Sequence, residues 1–416
     1  MKRTDPAAPG LRAGRLLTRD RTTERPPSGP PAAGSEAGTG RLLGVDLARA
    51  LAIYGMFAVH VGPSPESVDP LSGLLLKLTH GRSAALFALL AGVSLVLMAR
   101  REAPADGGPT RRLRARVAVR AVILLLGGTA MTMLELPIWV VIPYYGLFFL
   151  LALPVLGLSV PALAVLAALS ALAGPVLMMA PMVLHGEWLD AVAAYDPLDL
   201  VSGHGLIDLF LVGGFPAVSW MAYVLAGMAV ARLELTSPEI RRRLVAVGAG
   251  LATLGYGGSW LACHVFTDVQ AQVDRTSAAV VAAGSYYDVL DQGTPLQRLL
   301  VASPHSSSPF EITGNIGVAI LVLVAAIGIL RALPRLARLA SPVLALGTMS
   351  LTVYVGHILV IKYLDPEAHL GSPFAVLVVF AVGGTLLAAL WRRLFRRGPL
   401  EFLLHFSAIK LSGVVR

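Results

Sequence analysis

One cysteine, Cys263, stands in a chain of 416 residues. A lone thiol excludes an intramolecular disulfide and a thiolate-rich metal site. Charge is scarce as well. Asp, Glu, Lys and Arg make up 14% of the residues, against roughly a quarter in soluble domains. Acids are the scarcer sign, 25 against 34 Lys and Arg, which leaves a formal charge of +9. The short motifs of familiar soluble chemistry are missing too. There is no GxxxxGK[ST] phosphate loop, no GxGxxG before a helix, no GxSxG elbow and no HExxH pair. What fills the chain is apolar: 56% of residues are hydrophobic and the mean hydropathy is +0.72. A soluble fold of this length has too little interior to hide so much, so the surface must face lipid. Lipid admits helices and closed barrels only. Long unbroken apolar runs select an all-α polytopic transmembrane bundle.

Ten stretches are long enough to span, at about 20 mostly apolar residues each. They are 42–62, 82–99, 116–134, 138–158, 160–182, 209–231, 243–264, 312–330, 342–361 and 374–391. Pro143, Pro154, Pro175 and Pro216 fall inside these windows and are expected to bend them. Residues 1–40, rich in Pro, Gly and Arg, read as a disordered cytoplasmic tail and not as a secretory signal. With that tail inside, 27 of the 34 Lys and Arg fall in cytoplasmic segments, and four (Lys77, Arg275, Arg298, Lys362) fall outside. That split predicts ten spans with both termini cytoplasmic. Residues 41–232 form a first transmembrane half, 233–400 a second, and 401–416 a cytoplasmic tail. The basic runs at 111–116, 241–243 and 392–397 have no soluble domain to present them to nucleic acid. They are expected to meet anionic headgroups.

Ionisable groups in apolar spans are costly, so each is a functional hypothesis. Asp46, Arg49 and His60 share one face of the first helix at spacings of three and four. Two readings of Asp46 and Arg49 stand: a structural ion pair, or a pair that orients an acyl donor. The second helix opens on Thr79-His80-Gly81-Arg82-Ser83. Arg82 can snorkel to the interface or, with His80, bind an anionic or hydroxylated ligand. Tyr144 sits in the fourth span, where tyrosines are packed or line a site. Ser350, Tyr354 and His357 share a face of the ninth. His305 and Ser306 lie in the turn-rich stretch before the eighth, whose serines can cap that helix. The derived topology brings His60, His80, His305 and His357 to the outer end from four separate segments. They can form a base and relay system or hold a metal such as zinc.

The residues resemble a known family. RLLGVDLARALAIYGMFAVHVG (41–62) and GRSAALFALLAGVSLVL (81–97) resemble the first two helices of the heparan-α-glucosaminide N-acetyltransferase family. The stretches 215–233, 304–321 and 346–360 resemble a bacterial membrane domain of unknown function often joined to it. The resemblance covers about residues 41–400. It implies ten or eleven helices and acetyl transfer from cytosolic acetyl-CoA to an amino sugar across the membrane. A family asparagine in the first helix matches His60. The family's active-site histidine follows about ten residues later, where this chain has Leu71, so His80 is the candidate substitute.

The expected protein is a multi-pass acyltransferase of the bacterial plasma membrane, using acetyl-CoA and no metal. Its partners are the lipid bilayer and a small-molecule or glycan acceptor, not nucleic acid, and the sequence is compatible with a homo-oligomer. Catalysis falls to His80, His60, Arg82 and Ser83. The donor is held by Asp46, Arg49 and Tyr144, and the acceptor by His305, Ser306, Tyr354 and His357. The alternatives are an exporter without covalent chemistry and a structural or regulatory membrane subunit.

Overall fold

The computed structural model of the protein describes residues 43–102, 110–180, 191–192, 194–202, 205–265 and 295–413. The tail expected over 1–40 lies outside the described residues, as does much of the two long connections after α6 and α8. Every regular element among the described residues is helical. Those of eight or more residues are, in chain order, α1 Leu43–Val61, α2 Pro70–Lys77, α3 Arg82–Glu102, α4 Arg111–Thr132, α5 Ile142–Ala152 and α6 Val160–Met178. There follow α7 Ala217–Ala231, α8 Pro238–Val265, α9 Pro309–Ala332, α10 Ser341–Thr348, α11 Ser350–Leu364, α12 Pro373–Leu394 and α13 Pro399–Ser412. The protein is an all-α, multi-pass membrane bundle.

Seven helices among the described residues are long and apolar enough to cross a membrane, or eight if α10 and α11 count as one span. The ten apolar windows of the sequence map onto helices of unequal reach. The window 138–158 is helical only over the 11 residues of α5, about 16 Å against a hydrocarbon core of about 30 Å. The window 209–231 is broken by the turn at Gly213–Phe215 and continues as the 15 residues of α7. Hydropathy averages over such interruptions. The prolines explain part of the difference. Of these four prolines, only Pro175 lies in the interior of a helix. Pro143 sits in the first turn of α5, Pro216 is the N-cap of α7, and Pro154 falls in the turns after α5. Proline lacks an N–H and its ring fits the first turn, so the chain places these three where a helix begins or has ended.

The short α7 is the middle of the bundle. All of its residues except Val218 are buried, as suits a helix that is apolar all round. Glycines let its neighbours reach its backbone. Gly92 of α3 lies on the Val224 carbonyl, and Gly227 of α7 lies on the Leu89 carbonyl, leaving no room for a Cβ at either. In the same way Gly347 of α10 abuts the Asp46 carbonyl of α1. Small residues at such crossings take the place of the hydrophobic effect, which cannot drive helices together inside lipid.

The span expected over 342–361 is broken. α10 and α11 meet at Met349 with a bend of 82°. The first amides of α11 find their acceptor far along the chain. Glu401 of α13 accepts from the backbone N–H of Leu351 (2.8 Å) and Thr352 (3.0 Å), and from Thr352 Oγ1 (2.5 Å). Residues 401–412, expected as part of a tail, are therefore helical and tied to the bundle.

Candidate functional site

A cavity of about 350 Å³ opens near the end of the bundle that carries His60. Its wall is assembled from separate segments. Met56, Val59 and His60 come from the last turns of α1. Thr79, His80 and Gly81 come from the link between α2 and α3, and Ser83, Ala84 and Phe87 from α3. Ile138, Trp139 and Val141 precede α5, which adds Tyr145. Phe215, the Ser303–His305 loop and Tyr354 of α11 complete it. Gly81 has φ +69°. That left-handed conformation is open to glycine, and it turns the chain sharply from α2 into α3.

Carbonyl oxygens only accept hydrogen bonds, so a neutral imidazole nitrogen facing one must carry the proton. His80 Nδ1 lies 2.9 Å from the Leu76 carbonyl. It donates there, which leaves His80 Nε2 bare. His357 Nδ1 lies 3.3 Å from the Val353 carbonyl, so His357 Nε2 is the bare nitrogen. That nitrogen is 2.9 Å from His60 Nδ1, which must donate to it. His60 Nε2 is bare in turn. The two rings lie parallel, 3° apart, with centroids 5.2 Å from one another. In the neutral form each of His60 and His80 therefore has a bare Nε2, and both residues line the cavity.

His305 differs. It has φ +62°, and Ser307 has φ +49°, conformations that cost a non-glycine residue about 1 kcal/mol or more. A buried carboxylate holds them. Glu311, in the first turn of α9, accepts from the backbone N–H of His305 (2.9 Å) and Ser307 (2.7 Å), and from Ser306 Oγ (3.0 Å). Asn315 Nδ2 donates to it at 3.3 Å. Ser308 caps α9 through Oγ at 3.0 Å from the Glu311 N–H. The His305 ring lies among Trp139, Phe215 and Trp220 at centroid distances of 5.5 to 6.2 Å. Its Nδ1 is enclosed and has no hydrogen-bond partner among the described residues. Burial, with His80 nearby, pushes its pKa down to about 4, so His305 is neutral at pH 7.

The cavity thus brings together His60, His80, Ser83, His305 and Tyr354 of the residues singled out in the sequence. Ser83 Oγ donates to the Thr79 carbonyl at 2.9 Å. The Tyr354 hydroxyl accepts from the Val141 N–H at 3.2 Å. The other candidates lie elsewhere. Arg82, expected beside His80, donates through Nε to Tyr256 Oη (2.9 Å) and through Nη1 to the Lys77 carbonyl (2.9 Å), away from the lining. Its guanidinium stacks 4.6 Å above the Tyr256 ring. Ser306 is turned to Glu311 and the Val301 carbonyl. Tyr144 accepts from the Gly214 N–H at 3.1 Å and packs on Phe215. It braces the turn before α7, while its neighbour Tyr145, about 100° round the helix, reaches the cavity. His357 stands behind His60. Among the described residues no group of three or more His, Cys, Asp or Glu side chains is placed to hold a metal ion.

Asp46 and Arg49 lie one to two helical turns from the opposite end of α1, about 20 Å from His60. Arg49 bonds Asp46 Oδ1 at 3.0 Å and Ser94 Oγ of α3 at 2.7 Å. Replacing both with apolar residues of similar volume should leave the thermal midpoint within a few degrees, because buried pairs often swap neutrally. If the pair orients a donor, the folded double variant should lose acyl-CoA binding. Retained binding assigns the pair to structure alone.

The catalytic-domain model of the heparan-alpha-glucosaminide N-acetyltransferase family matches residues 41–255, just over half of the chain. The chain belongs to this family. A second model, for a protein of unknown function (DUF418), matches residues 263–409. The seam between the two matches falls within α8. The cavity draws on both parts of this N-acetyltransferase family member: His60 and His80 from the catalytic match, His305 and Tyr354 from the other. The probable sugar efflux transporter of Mannheimia succiniciproducens is 31% identical over 142 residues. That stretch covers 30% of this chain and 34% of the relative, so the chain spans about a third of the relative's length.

Sequence reasoning passed over Trp139, Tyr145, Phe215 and Glu311. For Glu311 a signal was present. Ser308-Pro309-Phe310-Glu311 has the S/T-x-x-E spacing of a capping box, and here the acid reaches past the cap to the loop before it.

Proposed function

We propose that the protein transfers an acyl group from an acyl-CoA to a hydroxyl or amine of a small-molecule or glycan acceptor held in the histidine cavity. The observation that carries this reading is the pair of histidines, His60 and His80, lining one cavity with Nδ1 of each engaged, an arrangement that in the neutral ring leaves Nε2 bare. An imidazole in that tautomer is a general base suited to neutral pH. The acceptor's O–H or N–H gives its proton to Nε2 as the oxygen or nitrogen attacks the thioester carbonyl. The carbon–sulfur bond breaks, and the imidazolium returns the proton to the leaving thiolate. A proton on His305 Nδ1 would be an enclosed donor without an acceptor, so the proton belongs on Nε2. His305 is then a hydrogen-bond donor and suits the oxyanion.

The donor is acetyl-CoA in this reading, as the family's name implies. The cavity lining has the apolar and neutral character that fits an acyl group. Cations that suit the nucleotide phosphates lie at the other end of the bundle, where Arg49, Arg100 and Arg232 are found. The distribution of Lys and Arg supports termini on the cytoplasmic side of a bacterial plasma membrane, with the cavity at the outer face. A second reading, export without covalent chemistry, draws on the broken span α10–α11 and on the similarity to a probable sugar efflux transporter. Purified protein given labelled acetyl-CoA with a panel of sugars and amino sugars should bind the donor and form acetylated product. Sugar flux in proteoliposomes, with neither donor binding nor product, would overturn acyl transfer in favour of export.

A further inference from the structure

α8 and α9 pack through glycines over one part of their length and separate over the rest. Gly255 lies on the backbone of Gly314, and Gly317 on the backbone of Ala252. One turn on, a Cβ at Gly248 would come 3.0 Å from both the Gly317 carbonyl and Leu321. Towards the start of α8 the helices part. A groove of about 600 Å³ opens there, walled by Val245, Leu321, Val324, Ala325 and Ile329. At Gly328 no atom lies within 4 Å of where a Cβ would stand, so the floor is open.

Arg241 and Arg242 close one end of this apolar trough. Arg241 is fixed in place: its Nη1 donates to the Leu235 (3.2 Å) and Thr236 (2.6 Å) carbonyls. No hydrogen bond of Nε or Nη2 is formed among the described residues. Arg242 is exposed and makes no hydrogen bond or ion pair among the described residues. The next residue, Arg243, is paired with Glu239 at 2.6 Å, so the cations at the groove are not neutralised from that side. The start of α8 adds the positive end of its dipole.

We propose that this groove binds one anionic phospholipid, its phosphate on Arg241 and Arg242 and an acyl chain laid between α8 and α9. A soluble anion matches only the arginine end. A zwitterionic lipid carries its own counter-charge and gains less there. A basic pocket between membrane helices is the setting in which anionic headgroups are selected. The site is separate from the histidine cavity and does not depend on the reaction assigned to it.

The test is a titration of the purified full chain in neutral detergent, read by thermal midpoint. The probes are phosphatidylglycerol, phosphatidylcholine and inorganic phosphate. Phosphatidylglycerol should raise the midpoint saturably, and the other two should not. Arg242→Ala should weaken the phosphatidylglycerol response roughly fivefold, as loss of one cation near a headgroup implies. Gly328→Leu fills open space and removes no contact, so its midpoint without lipid should match the wild type while the response disappears. Equal responses to the two lipids, a response to phosphate alone, or a response unchanged in both variants would each overturn the proposal.

Discussion

His60→Ala should lower acyl transfer by about 10²- to 10⁴-fold, the range that a positioned general base supplies, with the thermal midpoint little changed. His60 is half-buried at the end of α1, where it lies beside His357 and lines the cavity, so truncation widens a space that already exists and leaves no closed void. The variant of its partner is more diagnostic. In His357→Ala the His60 ring loses the acceptor that keeps its proton on Nδ1. The two tautomers then compete, and the rate should fall by roughly five- to tenfold, the worth of one hydrogen bond of about 1 kcal/mol. In His357→Gln a side-chain carbonyl can accept from His60 Nδ1, and most of the rate should return. A purely packing role for His357 predicts instead that His357→Leu, which keeps the bulk without an acceptor, restores the rate as well as His357→Gln does. Steady-state rates of the three His357 variants, measured at equal folded fraction, separate these cases.

Glu311→Ala is expected to be the most destabilising single substitution among the residues that hold the Ser303–Ser308 loop. It strands the N–H groups of His305 and Ser307 inside the protein, while the Ser306 hydroxyl keeps the Val301 carbonyl as its acceptor. Each stranded polar group costs about 1–3 kcal/mol, and His305 and Ser307 also lose the restraint that holds them at positive φ. A total on the order of 3 kcal/mol or more is expected, seen as a large drop in thermal midpoint and as loss of the His305 side of the cavity. Glu311→Gln should fall between the variant and the wild type. It keeps one acceptor but sets an amide donor against donors that are already there. A wild-type midpoint in Glu311→Ala would show that the loop is held by something other than the carboxylate.

The membrane character and the all-helical class were legible from hydropathy alone, because backbone groups in lipid must be satisfied within the helix. His60, His80 and His305, read in the sequence as lying at one depth of a bundle and so as candidates for contact, line one cavity. Rotation about each helix axis was not legible. Tyr144 and Tyr145 are sequence neighbours in the same apolar stretch, and one faces Gly214 while the other faces the cavity. Arg82 shows the same limit: it adjoins His80, yet its guanidinium is claimed by Tyr256, 174 residues away. The break at Met349 was also hidden, because the acceptor that makes it tolerable comes from Glu401, beyond the last apolar window.

That distance along the chain has a consequence for timing. The amides of Leu351 and Thr352 are made about fifty residues before the carboxylate that receives them. At the usual pace of synthesis, about 5–20 residues per second, the start of α11 waits for some seconds with its N–H groups unanswered. Lipid penalises such groups heavily, so α11 has reason to stay at a wet surface, or to borrow water, until α13 arrives. The bent span would then be among the last parts of the bundle to settle. Tyr354 and His357 sit on that span, so the wall of the cavity and the partner of His60 would be set only when α13 docks.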